Sequence, residues 1–535
     1  MRKFRHYISF MILIACLMTS CTKDFIEINK NPNKIEFGGV APTSLYEPMV
    51  YGISIHNQNQ AWFYANELVQ VTAFTGGATT QIHQYQIPDG QWTSQWDNFA
   101  RYGFDAHHII DQAIKFEDKY MEALGLIWKV YELSNLSALF GDIPYKEAFM
   151  QTANTTPVFD SQEALVEEFI ADLDSASTIL RRRPAALKPD IDKMYANNHT
   201  KWIKFANSLR MRILCRMSGI NDSYWGQIQT MLDNPDLYPV FADNSDNANM
   251  PFQELDPYRS YWKQNNTTES SFCNHRFCQK MIDMMVEFNT AGNAIFEDPR
   301  LPIYAVQKGG VWKGSRGGVL PSEFKQYDSG SAVPNFAVLT NSGVPAFLMD
   351  YSEVLFILAE GVEKGKLTVA GQTAKTLYES AVKASIGKWS NYGQYASKPV
   401  IVRSADIDAL LSGPLGSYDR AAAQNETSIY GSAEELIACQ KFISLYFSGY
   451  EVYNEWRRTE YPVFGIADGT SSNGYEVPTR MGYPNYTVAS NSANVHAALT
   501  RMGGGEAVNN MHIPLDWSYV KIYGSHRNPH PLQAK

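Results

Sequence analysis

Charge is scarce in this chain. Asp, Glu, Lys and Arg make up 19% of 535 residues, with 46 basic against 55 acidic side chains and a formal net charge of −9. No basic run exceeds Arg181-Arg182-Arg183. Nothing on such a surface offsets the repulsion of a phosphate backbone, so a nucleic-acid partner is excluded. Cysteine is scarcer still, at 6 residues. Cys273-Asn-His-Arg-Phe-Cys278 offers zinc three ligands at most, counting His275, and no second Cys pair completes the usual four. That segment reads as a local disulfide or as two free thiols, while Cys215 and Cys439 fall inside helical patterns as small core residues.

Other signatures are missing as well. After the first twenty residues no uninterrupted apolar stretch reaches the roughly 18 positions that a membrane helix needs. HExxH, G-x-S-x-G and Walker A patterns are all absent, which removes the local marks of zinc proteases, serine hydrolases and P-loop enzymes. Asp243-Asn-Ser-Asp-Asn247 with Glu254 echoes a calcium loop, but Ala248 stands where the sharp turn needs glycine, so it reads as an Asn/Asp-rich loop. Glu451 and Glu455 are one helical turn apart. Glycosidase carboxylates usually face each other across a cleft from different elements, so no catalytic residue is assigned. His107 and His108 lie within a helical pattern and read as helix histidines. No metal and no cofactor is expected.

The N-terminus carries an address. Arg2, Lys3 and Arg5 precede an apolar stretch from Tyr7 to Thr19, too short to span a bilayer, and Leu17-Met-Thr-Ser-Cys21 follows. This resembles a bacterial lipobox, in which residues 1–20 are a signal peptide and Cys21 becomes the lipidated first residue. Acyl chains on Cys21 would anchor the protein through their buried methylenes. Lys23-Asp24 resembles a surface-export signal of Bacteroidota lipoproteins. Residues 21–40 read as a tether, and 41–535 as one domain without an internal linker.

The body is helical by periodicity. Asp160-Ser-Gln-Glu163 resembles a capping box, with an apolar stripe from Leu165 to Leu180 behind it. Lys201 to Met217, Asp350 to Lys364 and Ser432 to Phe447 carry similar start, stripe and stop signals, and Gln95–Lys115 and Met121–Phe140 share the period. Between them lie irregular stretches near 234–270, 307–345, 389–430 and 463–510, long enough to suggest functional loops. The expectation is a mostly α fold: TPR-like helical pairs, long loop-rich insertions and few short strands.

Seven segments then resemble one family in register. They are Leu139-Phe-Gly-Asp-Ile-Pro-Tyr-Lys-Glu-Ala148, Pro157-Val-Phe-Asp-Ser-Gln-Glu163, Lys201-Trp-Ile-Lys-Phe-Ala-Asn-Ser-Leu-Arg210, Asp298-Pro-Arg300, Tyr351-Ser-Glu-Val-Leu-Phe-Ile-Leu-Ala-Glu360, Gln440–Pro462 with Glu455-Trp-Arg-Arg-Thr459, and Pro478-Thr-Arg-Met-Gly-Tyr-Pro484. Together they are similar to the SusD/RagB-like outer-membrane lipoproteins. The resemblance implies a TPR-like scaffold, a surface position on the outer membrane, a glycan ligand and a SusC-like TonB-dependent transporter as partner. Some relatives capture peptides, which is the alternative; a secreted glycan hydrolase is the more distant one.

The signature residues themselves read as structural: Gly141-Asp-Ile-Pro144 as a turn, Arg457 and Arg458 as partners of buried carboxylates or carbonyls, Glu353 and Glu360 as cap and ion-pair groups. Ligand contacts should come from loop aromatics, whose rings stack on sugar C–H faces, with neighbouring polar groups bonding the hydroxyls. Trp96, Trp128, Trp202 and Trp456 fit helical stripes and are set aside as core. The candidates are Tyr85, Trp92, Tyr258, Trp262 and Trp312, accompanied by Tyr261, with Arg259 and Arg316 as donors. At least two of Trp92, Trp262 and Trp312 are expected to line one shallow site.

Overall fold

The computed structural model describes residues 39–76, 82–185, 190–328, 330–466, 474, 476–503, 505 and 508–524. The signal segment, Cys21 and most of the tether lie outside the described residues. Eleven longer helices carry the architecture: α1 (Pro42–Gln60), α2 (Asp89–Lys115), α3 (Lys119–Phe140), α4 (Gln162–Arg181), α5 (His199–Met217), α6 (Ser223–Asp233), α7 (Tyr351–Glu363), α8 (Ala374–Ser390), α9 (Ala433–Ser444), α10 (Glu451–Thr459) and α11 (Ser492–Met502). Each of α1 to α5 packs on the next in turn, and α7 packs on α8 and α9 while touching α5. The result is a stack of antiparallel helical pairs, TPR-like and mostly α. Among the described residues no helix is long and apolar enough to cross a membrane.

Strands are few and short, and each pairs antiparallel with one other. They are β1 (Thr72–Phe74) with β3 (His275–Phe277), β2 (Ala248–Met250) with β8 (Ala346–Met349), β4 (Val286–Phe288) with β5 (Ala294–Glu297), and β6 (Ala305–Val306) with β7 (Val333–Pro334).

Local chemistry explains the helix ends. Ser161 Oγ accepts from Ala164 N at 3.3 Å, Asn198 Oδ1 from Lys201 N at 3.1 Å, and Ser432 Oγ from Glu435 N at 3.1 Å. Each satisfies one orphan amide of a first turn. Asp350 precedes α7 but does not cap it. Its carboxylate takes Lys388 Nζ at 2.6 Å inside the core, and Tyr351 N turns to Asn247 Oδ1 at 2.7 Å. Helix α2 starts at Asp89, before the expected Gln95, because Pro88 sets an extended N-cap and Trp92 extends the stripe of Trp96 and Phe99. The stretches 389–430 and 463–510, expected to be irregular, also hold helices, Ser404–Ser412 and α11 among them.

One apolar core runs from Tyr46 to Trp517, and charged side chains thread it. Arg212 grips Glu353 with Nε at 2.6 Å and Nη2 at 2.5 Å, and Arg216 holds Glu451 at 2.5 Å. Lys441 pairs with Glu455 at 2.9 Å, and Arg458 spans Glu455 at 2.6 Å and Glu360 at 2.7 Å. These pairs tie α5, α7, α9 and α10 together, as buried ions require close partners. Burial alone would raise the Glu451 carboxyl, yet the Arg216 and Arg212 guanidinium groups outweigh it and hold it down to about 2. Arg457 serves carbonyls instead, donating to Ala138 O at 2.6 Å and Thr479 O at 2.9 Å. The expected structural roles of Glu360, Arg457 and Arg458 are borne out, whereas Glu353, expected to cap α7, caps nothing and is instead the buried ion-pair partner of Arg212.

The Gly-Asp-Ile-Pro turn is a corner for the whole molecule. Gly141 has φ +94°, and a Cβ there would lie 2.2 Å from Met502 Sδ. Asp142 accepts from Gln162 N at 3.1 Å at the start of α4 and from Arg501 Nε at 2.8 Å. Arg480 Nε reaches Phe140 O at 3.2 Å, and Tyr483 OH donates to Asp142 O at 2.6 Å. The C-terminal segment is thereby fastened to the junction of α3 and α4.

Candidate ligand-binding face

Helix α1 runs without a break into a π-helical turn, Ala61–Ala65. Single π turns inside helices frequently mark functional positions, because the extra residue re-aims the side chains around it. Here Trp62 turns inward and stacks on Phe272, with centroids 3.9 Å apart and planes at 14°. Phe63 turns outward and is 38% exposed. Tyr51, Ile55, Asn59 and Phe63 follow each other at i, i+4 spacing along one side of α1, none of them buried.

The loop from 251 to 264 lies across that side. Tyr258 meets Tyr51 edge to face at 5.2 Å, and Tyr261 meets Phe63 at 6.2 Å. Tyr261 N donates to Gln58 Oε1 at 3.0 Å, and Gln264 Nε2 donates to Tyr51 OH at 2.5 Å. Tyr51 OH in turn donates to Arg259 O. Arg259 faces Asp256 at 3.4 Å. Burial, then Asp256, push the Tyr51 phenol up to about 12, so it stays a neutral donor over the physiological range. Aromatic faces alternate here with amide, carboxylate and guanidinium groups, the mixture that stacks on and hydrogen-bonds to sugar rings.

A stiff platform supports this face. Beyond the β1–β3 ladder, Cys278 N donates to Val71 O at 3.0 Å, Ser315 N to Phe277 O at 2.6 Å and Ala332 N to Lys313 O at 2.7 Å. His83 is buried between Gly318 N and Phe74 O, each 3.0 Å from a ring nitrogen, and burial lowers its pKa. Gly314 is needed for close approach: a Cβ there would sit 2.3 Å from the Gln279 backbone. The glycine-rich segment is thus packed main chain to main chain from Lys313 to Ser315.

That packing decides where the sequence candidates fall. Trp92, Trp262 and Trp312 are 4%, 2% and 7% exposed, so no indole of the three presents a face to solvent. Trp92 lies in the first turn of α2 rather than in a loop. Trp262 packs edge-on against Trp62 at 5.5 Å and Phe272 at 5.2 Å. Tyr85 is buried beneath the platform. Arg316 is exposed on the glycine-rich segment, and Tyr258 belongs to the open face, as do Tyr261 and Arg259. Tyr51 and Phe63 are not among the sequence candidates, and the helix over 42–60 that presents Tyr51 is not among the sequence-expected elements; the i, i+4 succession of Tyr51, Ile55, Asn59 and Phe63 is the signal that could have found them.

The other chemical candidates are occupied by structure. His275 turns its Nδ1 to Glu67 at 2.9 Å, and Cys273 and Cys278 are free thiols. Among the described residues no group of three or more His, Cys, Asp or Glu is placed to hold a metal ion. Asp243 caps Ser245 N at 2.7 Å and Asp246 pairs with Lys204 at 2.6 Å, while Glu254 is exposed on the following loop. Glu451 and Glu455 are both buried in ion pairs and face no cleft.

Comparison with known proteins follows the same line. Residues 32–484 match a SusD-like family described as "Starch-binding associating with outer membrane". No functionally curated protein matches by sequence. Among solved structures, one described as a chitin-binding protein is 25% identical with a TM-score of 0.73, covering 89% of this chain and 99% of that one. A chitin-binding SusD homolog from Flavobacterium johnsoniae is 21% identical, with a TM-score of 0.71 and coverage of 91% and 99%. A SusD homolog from Parabacteroides distasonis is 20% identical, with a TM-score of 0.74 and coverage of 89% and 98%. On the family match over most of its length, this chain belongs to the SusD-like family.

Proposed function

We propose that the protein is a surface nutrient-binding lipoprotein, anchored to the outer membrane through Cys21. It captures glycan and passes it to a SusC-like TonB-dependent transporter without changing it. The observation that carries this reading is the open strip of Tyr51, Phe63, Tyr258 and Tyr261 with its interleaved polar groups. Family membership supports it, and the chitin-binding relatives make β-linked N-acetylglucosamine chains the first ligands to try. Tyr258 remains a proposed contact from the original set, with Arg316 as a donor at the platform's edge. Trp262 acts in this reading as packing behind the strip, edge-on to Tyr261 at 5.1 Å, while Tyr85, Trp92 and Trp312 are buried and are not proposed as contacts.

The test is a binding screen of the protein expressed from residue 22, across chitin, starch, plant and host glycans and a peptide mixture. Retention by one glycan class is expected, with roughly tenfold weaker binding for Phe63→Ala or Tyr261→Ala, the effect of losing about 1.4 kcal/mol of stacking. Retention of peptide alone would move the protein to peptide capture, and release of reducing ends would make it a hydrolase. In the full-length protein, loss of membrane partitioning in Cys21→Ser tests the anchor.

A further inference from the structure

At the far end of α10 from the aromatic strip, several helix ends converge. Tyr450, just before α10, meets Tyr64 of the π turn at 6.3 Å, whereas Arg458 and Thr459, in its last turn, border a separate cleft of about 440 Å³. That volume lies within the range of small-ligand sites. Trp225 and Trp517 form apolar parts of its wall. Tyr519 and Tyr523, on a one-turn helix at the rim, have ring centroids 4.5 Å apart, and Tyr523 is 61% exposed.

The charges in the cleft come in pairs. Lys366 holds Asp222 at 2.5 Å, and Lys364 bridges Glu360 at 2.7 Å and Glu434 at 3.5 Å. Arg458 is already saturated by Glu360 and Glu455. Among the described residues that line the cleft, each cation, Lys364, Lys366 and Arg458, already has an acidic partner. Trp225 and Trp517 are 4% and 2% exposed and only back the wall, so the aromatic surface the cleft offers is that of Tyr519 and Tyr523 at its rim, beside paired donors and acceptors, a mixture that suits a neutral polyhydroxylated ring.

We infer that this cleft is a second glycan subsite, separate from the strip on α1, which lets one polymer or two chains engage the protein at two points. The ligand class rests on the glycan-capture reading, but the location does not. Two linked weak sites raise the apparent affinity for long chains well above that for short ones.

The experiment is calorimetric titration with chitohexaose and maltohexaose, combined with amide hydrogen exchange, on three proteins. These are the wild type, Tyr519→Ala/Tyr523→Ala and Phe63→Ala/Tyr261→Ala. Two equivalents bound by the wild type, one by each variant, and ligand protection of residues 517–523 are expected. Polymer retention should fall at least tenfold in the Tyr519→Ala/Tyr523→Ala variant. A wild-type stoichiometry of one, unaltered by Tyr519→Ala/Tyr523→Ala, overturns the cleft and leaves the strip standing. Binding lost only in Tyr519→Ala/Tyr523→Ala overturns the strip and leaves the cleft. No binding by the wild type overturns both. Binding that requires deletion of residues 525–535 also overturns the cleft, in favour of the chain's own tail as its occupant.

Discussion

Arg300 gives the sharpest test of how the loop-rich half is held to the helices. Its side chain is fully buried, as is that of Asp298. Nε and Nη2 reach Asp298 at 2.9 and 2.6 Å, Nη2 also reaches Gln440 Oε1 at 2.6 Å, and Nη1 meets Ser385 Oγ at 3.2 Å. One guanidinium therefore joins the Asp-Pro-Arg turn to α8 and α9. Arg300→Met keeps most of the volume but leaves a buried carboxylate without its counter-ion, which costs about 3–5 kcal/mol. Orphaning the Gln440 oxygen adds about 1 kcal/mol or more. A loss near 5 kcal/mol would consume a third or more of a typical domain's stability. Urea unfolding followed by far-UV circular dichroism should show this loss, and Asp298→Asn in the same chain should restore about 2 kcal/mol by removing the stranded charge. Stability within about 1 kcal/mol of wild type for Arg300→Met, or strict additivity in the cycle, would refute the argument.

Two further outcomes are expected. His56, held by Gln60 Nε2 at 3.0 Å and Gln95 Oε1 at 3.1 Å, is kept neutral mainly by burial, with Arg101 adding to it, and titrates near 3 instead of 6.5. The unfolded chain gains this proton first as the pH falls below 6.5, so the folded state should lose about 2 kcal/mol between pH 6.5 and 5. Unfolding of His56→Gln at both pH values should lack that part of the slope; identical slopes would discard the assignment. Gly141→Ala combines a left-handed backbone with a Cβ 2.2 Å from Met502 Sδ. A cost of about 2–4 kcal/mol and faster proteolysis around residues 503–515 are expected; an unchanged melting temperature and cleavage rate would contradict the corner's role.

The scaffold was legible because helices announce themselves locally. Ser161 and Ser432 cap where their spacing predicted, and the arginines of Glu-Trp-Arg-Arg-Thr find buried partners as their fork chemistry suggests. The ligand face was far less legible, since exposure depends on partners remote in sequence. Trp262 is buried by Trp62, Phe272 and Phe447, which no local pattern connects to it. Trp312 sits in a glycine-rich segment that reads as an irregular loop, yet at Gly314 the segment packs directly on the Gln279 main chain. Trp92 is different: it stands four residues before Trp96, and extending the α2 stripe by one turn would have placed it in the core.

The corner at Gly141 and Asp142 also bears on the order in which the molecule can form. Its closing contacts span great lengths of chain: 340 residues for Arg480 with Phe140, 341 for Tyr483 with Asp142 and 359 for Arg501 with Asp142. Closing a loop of that size costs about 5 kcal/mol of chain entropy before any contact rewards it. A polypeptide emerging from its N-terminus can stack its early helices and form the Gln162–Asp142 bond, but holds this junction open, with the Asp142 carboxylate lacking its Arg501 counter-ion, until residue 501 arrives. Completion of the fold is therefore timed by the last tenth of the sequence, and the growing chain stays loosely closed for most of its synthesis.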